Sequence, residues 1–170
     1  MRSKIYFSLA ITVIAAMLLA FGCAPAVEEV GPAPPPKAKP IVIGYVGNPA
    51  MAGTTSSINI QKMAVEEINA AGGILGRPIK YIVEDGKGEA SLSVEAATRQ
   101  IMAHHALIYS VEARSELCLA CQEKSAMMYR DYPHIMVGTG VASEFSGRAF
   151  DDYDKYKCSF CDYTPEPMQY

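Results

Sequence analysis

Ala64-Val65-Glu66-Glu67-Ile68-Asn69-Ala70-Ala71-Gly72-Gly73-Ile74-Leu75-Gly76-Arg77-Pro78-Ile79-Lys80 is the stretch from which the fold follows. It reads as the end of an amphipathic helix, a glycine stop, a tight turn and the start of a strand. Ile60, Ala64, Ile68 and Ala71 recur at spacings of four, four and three, which predicts one apolar helical face and puts Glu66, Glu67 and Asn69 on others. Gly72 and Gly73 supply the left-handed backbone that closes a helix. Pro78 cannot continue one, and it fixes an extended entry into Ile79-Lys80-Tyr81-Ile82-Val83.

Working outward, Ile41 to Val46 is a short apolar run bounded by Pro40 and Gly47, the pattern of a strand covered on both faces. The helix that leads into the opening stretch is expected from about Ser57 to Ala71. Downstream, a second helix is predicted from about Ser91 to Ala103, with Val94, Ala97 and Ile101 on one face. A third strand follows at Ala106 to Tyr109, a third helix at Ser115 to Tyr132 and a fourth strand at Ile135 to Val137. Strands alternating with helices predict an α/β fold, a parallel sheet with helices on both faces. Such sheets bind ligands at the carboxyl ends of their strands, which directs attention to the loops Gly47 to Ser57, Ser110 to Ser115 and Gly138 to Glu144.

The opening stretch, with Glu84-Asp85 after it, resembles the first helix and second strand of the leucine/isoleucine/valine-binding proteins. These are extracytoplasmic substrate-binding components of ABC importers, with the type I periplasmic-binding-protein fold. The resemblance runs from about Ile41 to the C-terminus and implies a Rossmann-like first lobe over 41–157. Asp151 to Lys157, with Phe160 and Thr164-Pro165, resembles the approach to the family's hinge, so 158–170 is expected to be hinge-like. Beyond it the family has a second lobe, and with the sequence ending at Tyr170 the expectation is a first lobe alone, as a truncated product or fragment or with the second lobe on a separate chain. The implied function is capture of a branched-chain or related amino acid for delivery to an ABC permease.

Gly138-Thr139-Gly140-Val141-Ala142-Ser143-Glu144 is the most informative loop. Glycines let backbone approach a ligand, and Thr139 and Ser143 offer hydroxyls that donate and accept. If Ser143 caps the short helix that follows, free N–H groups there suit a carboxylate. The resemblance gives Val141, Ala142 and Ser143 the task of holding the α-carboxylate and α-amino group, and gives Ser115, in Arg114-Ser115-Glu116, a hydroxyl contact to the carboxylate. Read without it, the same residues are a glycine-rich turn and two helix N-caps. The chain departs from the family where Ser110-Val111-Glu112-Ala113 replaces a glycine pair, a bulkier segment expected to narrow or reroute the site. The first loop lacks the family's aromatic and receives no assigned contact.

Residues 1–23 read as a signal peptide: Arg2 and Lys4 precede an uncharged apolar run that ends in Gly22-Cys23. Leu18-Leu19-Ala20-Phe21-Gly22-Cys23 resembles a lipobox with Phe21 in place of a small residue, so Cys23 is the expected lipidation site and the expected location is the periplasm or cell surface, held at a membrane by that anchor. Cleavage near Ala24-Pro25-Ala26, and an uncleaved membrane anchor, are the alternatives. Residues 24–40 carry six prolines and read as a semi-rigid tether. The chain has 170 residues, half of them hydrophobic, with 15 basic against 18 acidic side chains. That is enough for the core of one domain, and an acidic balance without a basic cluster argues against nucleic acid as a partner.

Cys118-Leu119-Ala120-Cys121 and Cys158-Ser159-Phe160-Cys161 are two C-x-x-C pairs. Their spacing suits a zinc site, and the alternative function is a metal- or redox-responsive surface domain built on them. In an extracytoplasmic protein they could instead form disulfides or remain structural thiols. The resemblance places the first pair inside a helix, unlike a zinc knuckle, so no cofactor is assigned. His104-His105 at a helix end suit its dipole, and nothing brings a nucleophile, a base and a carboxylate together, so no enzyme activity is expected.

Overall fold

The computed structural model describes residues 38–139 and 142–162. The expected signal peptide, Cys23, most of the 24–40 tether, Val141 and the end of the hinge-like segment lie outside the described residues. The elements are β1 (Ile41–Gly47), α1 (Ala52–Ala70), β2 (Ile79–Asp85), α2 (Ala90–Met102), β3 (Ile108–Val111), α3 (Ser115–Met128), β4 (Ile135–Gly138), α4 (Ser143–Asp151), α5 (Tyr153–Tyr156) and β5 (Ser159–Cys161). They build one parallel sheet in the order β2-β1-β3-β4-β5. Tyr45 and Val46 are adjacent in β1, point to opposite faces and are both buried, so both faces of the sheet are covered, as predicted. Among the described residues no helix is long and apolar enough to cross a membrane.

The opening stretch folds as its glycines require. Gly73 N–H reaches the Ile68 carbonyl at 2.9 Å and Gly72 N–H reaches that of Asn69 at 3.1 Å, while φ is +101° at Gly72 and +77° at Gly73. The turn then closes on itself through a bridge between Ile74 and Arg77, and Pro78 hands the chain to β2, whose first residue pairs with Ile41 of β1.

The face that α1 buries differs from the predicted one. Ile60 is 66% and Ile68 37% exposed, and Ala64 and Ala71 are exposed as well. The inward face runs instead through Thr54, Ile58, Gln61, Val65 and Asn69. Its last member explains the choice, because the Asn69 side-chain amide both donates to the Ile79 carbonyl (2.9 Å) and accepts from the Ile79 amide (2.7 Å). Two backbone groups at the start of β2 are thereby satisfied, and no apolar residue could do that. The helix also begins five residues before the expected Ser57, at Ala52. Thr55, Ser56 and Ser57 each return their hydroxyl to the carbonyl four residues back, so a segment that reads as a polar loop is helical.

The core gathers Val46, Ile101, Tyr109, Leu117, Met136 and Phe145, each large side chain contributing roughly 1.5–3 kcal/mol by leaving water. Polar groups within it are tied to backbone. Gln100, fully buried, donates from Nε2 to the carbonyls of Ile82 (2.9 Å) and Tyr45 (3.3 Å), and Gln122 donates to that of Phe145 (2.9 Å).

His134, at the entry to β4, is buried, donates from Nδ1 to the Tyr132 carbonyl (2.6 Å) and has no partner at Nε2 among the described residues. Burial lowers its pKa below the ordinary 6.5. The unfolded chain therefore takes up a proton at a pH where the folded one still refuses it. Stability is full above about pH 6.5 and falls as the pH drops toward the folded value, at most about 1.4 kcal/mol per pH unit. Urea denaturation of the protein and of His134→Gln across that window should show a shallower pH slope in the variant; equal slopes would remove His134 from the account.

Candidate functional site

The carboxyl ends of β1, β3 and β4 lie side by side, and the sheet order turns back between β1 and β3. That is where doubly wound sheets hold ligands. The loops are short: α1 reduces the first to Asn48–Met51, the second is Glu112–Arg114, and the third runs from Thr139 to Ala142 with Gly140 and Val141 outside the described residues.

Ser115 and Ala142 are brought together. Ser115 Oγ accepts from the Ala142 amide at 3.0 Å, joining the second loop to the third. Neither serine is the cap that local pattern suggested. The caps are Arg114 and Ala142, neither making a side-chain cap bond, and Ser115 and Ser143 are the first residues of α3 and α4. Ser115 has turned its oxygen away from its own helix because a second helix start lies within reach. Among the described residues its O–H donates to no acceptor. Thr139 faces elsewhere, its hydroxyl reaching Asp162 at the end of β5 (3.2 Å).

The residue that pattern reading missed is Glu112. Its amide continues the sheet to the Val46 carbonyl (2.9 Å), and its carboxylate turns back under the first loop, where Oε2 accepts from the Asn48 amide (2.7 Å) and Thr54 Oγ1 (2.9 Å). Gly47 has to be a glycine for this: a Cβ there would sit 2.6 Å from the Tyr45 ring and 3.1 Å from Glu112 Oε2. Burial, and after it the Glu112 charge, raises the Tyr45 phenol above its ordinary value, so it stays a neutral O–H. Arg114 clamps the loops from outside, donating to the Gly88 carbonyl (2.8 Å) and pairing with Glu116 at 2.5 Å. The sequence signal was there to be used: Glu112 falls in the segment Ser110-Val111-Glu112-Ala113, which departs from the glycine pair of the resembled family.

The cysteines sit behind this site. Cys118 and Cys121 are fully buried in α3, and burial pushes their thiols up to about 11 and about 12, while the buried Cys158 is also raised. These three are free protonated thiols, and the Cys118 thiol is bonded to the Glu112 carbonyl at 3.4 Å. Cys161 is half-buried and packs on the same core. Among the described residues no three His, Cys, Asp or Glu side chains gather in a group that could hold a metal ion, so the predicted zinc set of Cys118, Cys121, Cys158 and Cys161 gains no support. One of the helix-end histidines has a defined partner: His104 joins Arg99 on Glu84, each at 2.8 Å. Against the opposing effect of burial, their hydrogen bonds hold the Glu84 carboxyl below its usual range.

Residues 41–136 match the family model described as periplasmic binding protein. Among solved structures, the chain is similar to a protein assigned as a branched-chain amino acid ABC transporter from Silicibacter pomeroyi, with 27% identity and a TM-score of 0.63 over 75% of this chain and 32% of that one. The same fold recurs in the branched-chain amino acid transporter substrate binding protein LivJ from Streptococcus pneumoniae, solved with isoleucine, at 20% identity and a TM-score of 0.59 over 74% of this chain and 34% of that one. It recurs again in the leucine binding protein LivK from Thermotoga maritima, at 16% identity and 0.58 over 76% and 34%. The chain thus spans about a third of the length of these structures. No curated protein shows significant similarity to it.

Proposed function

This chain belongs to the periplasmic binding protein family, and from that premise we propose that it is the first lobe of an extracytoplasmic substrate-binding component of an ABC importer for branched-chain or related amino acids. The observation that carries the reading is the bond from the Ala142 amide to Ser115 Oγ, which draws two ligand-side loops together at the strand ends. There the Ser115 hydroxyl, the backbone of 141–143 and the Ser143 hydroxyl are assigned to the carboxylate and amino group of a zwitterion. Charge-assisted bonds of this kind contribute on the order of 1.5–3 kcal/mol each. Delivery to a permease, and a lipid anchor at Cys23, complete the proposal. The relatives are named as binding proteins of transporters, and the reading is of a binder, with catalysis given no part.

Calorimetric titration of the protein with a panel of amino acids tests this. Ser115→Ala and Ser143→Ala should each weaken binding about tenfold, the equivalent of about 1.4 kcal/mol. Unchanged affinity in both would remove the site assignment, and no heat with any amino acid would remove the function.

A further inference from the structure

Glu112 is 3% exposed, and its second oxygen, Oε1, has no hydrogen-bond donor among the described residues. No ion pair among them includes it either. The nearest cation in sequence, Arg114, is committed to Gly88 and Glu116. A buried carboxylate is costly unless it is paired, so a donor brought to Oε1 from outside would remove a standing cost. Glu112 also lines a cavity of about 270 Å³ with Tyr45, Thr54 and Ser57, at the carboxyl ends of β1 and β3 where the strand order turns back. Ligand pockets usually run from about 300 to 1,000 Å³, so this one suits a single arm of a ligand.

We infer that the cavity receives an ammonium group on the side chain of the ligand, with Glu112 Oε1 as its acceptor, making the ligand a basic amino acid in place of a wholly aliphatic one. The inference rests on the amino-acid reading above and narrows it. An ammonium has three donors to place, and Ser57 and Tyr45, whose side chains hydrogen-bond each other, also line the cavity with hydroxyl oxygens able to accept. Arg114 lines the cavity and immediately precedes Ser115, so the arm and the zwitterion site are joined through consecutive residues.

The test is titration of the protein and of Glu112→Gln with lysine, ornithine, norleucine and 1,4-diaminobutane. Glutamine keeps an oxygen for Asn48 and Thr54 and puts an N–H₂ where Oε1 stood. Lysine or ornithine should bind at least tenfold tighter than norleucine, and Glu112→Gln should remove that advantage while moving norleucine less than about twofold. Equal binding of basic and aliphatic amino acids would overturn the inference and leave the amino-acid function standing. So would an equal loss for both in the variant, which would move Glu112 to the α-ammonium. If no amino acid binds, the function reading fails and 1,4-diaminobutane decides alone: binding abolished by Glu112→Gln upholds an ammonium site, and no binding overturns it. If thermal unfolding shows Glu112→Gln to be misfolded, Glu112→Asp, which keeps the charge and withdraws it by one methylene, should cost lysine several-fold more than norleucine. Equal costs would overturn the inference.

Discussion

Phe145→Ala is expected to lower the stability of the protein by about 3–5 kcal/mol. Phe145 is 1% exposed and is the residue of α4 that enters the core. Its ring lies against Gly138, where a Cβ would come within 2.9 Å of it, so the end of β4 and the first turn of α4 are fitted to one another with no slack. Its carbonyl accepts from Gln122 of α3 at 2.9 Å. Removing the ring leaves a cavity between two elements that have few other ties, and those two elements flank the loop that holds Thr139 and Ala142, with Ser143 the first residue of α4. The loss should therefore appear twice, as a lower urea midpoint and as weaker amino-acid binding in conditions where the variant is still folded. Phe150→Ala, at a side chain 88% exposed on the same helix, should change stability by less than about 0.5 kcal/mol. Similar costs for the two would mean that α4 is not anchored through Phe145.

The alternation of strands and helices along the chain was legible because it rests on strong signals: Pro40 and Gly47 around β1, Gly72-Gly73 after α1, and the apolar positions Val94, Ala97 and Ile101 of α2. Boundaries were less so. The third strand begins at Ile108, two residues after its predicted start, because the Ala106 amide is still engaged with the Gln100 carbonyl as α2 unwinds. β5 has only three residues, too few for any period, yet it extends the sheet beside β4. On α1 the 3.6-residue apolar pattern pointed to the wrong face, since a hydrogen-bonded Asn69 and a buried Thr54 outcompete Ile60 and Ile68 for the sheet. A hydrophobicity count cannot see that exchange. It assigns every polar residue to water, and buried amides such as Gln100 and Gln122 are misread in the same way.

The site was legible in part and for a similar reason. Three loops at the strand ends follow from chain order alone, and Ser115 does meet Ala142. What the side chains do there depends on contacts across 58 to 64 residues, as in the bonds from Thr54 and Asn48 to Glu112. Glu112 looked like bulk that narrows the site, whereas in the fold it braces the first loop with one oxygen, and its other oxygen has no hydrogen-bond partner among the described residues. No spacing rule contains that information, because the second partner lies on a different strand-to-helix connection.

Gly73→Ala carries the second large cost, about 3 kcal/mol, and it tests the opening stretch directly. Two separate penalties meet at this residue. Its φ of +77° is left-handed, which an L side chain adopts at a cost of roughly 1–2 kcal/mol, and a Cβ built there lies 2.1 Å from the Arg77 carbonyl oxygen. That oxygen accepts from the Ile74 amide at 2.8 Å, so it cannot retreat without opening the turn that delivers Pro78 and Ile79 to the sheet. Gly76 separates the two effects, because its φ is +73° but nothing stands within 4 Å of an added Cβ. Gly76→Ala should lose only the conformational share, roughly 1 kcal/mol, in urea denaturation beside Gly73→Ala. Equal losses would show that the Arg77 carbonyl gives way freely. The turn would then be held from outside, by Asn69 on Ile79 and by the Pro78 carbonyl on the Ile41 amide, with the glycine contributing only its freedom.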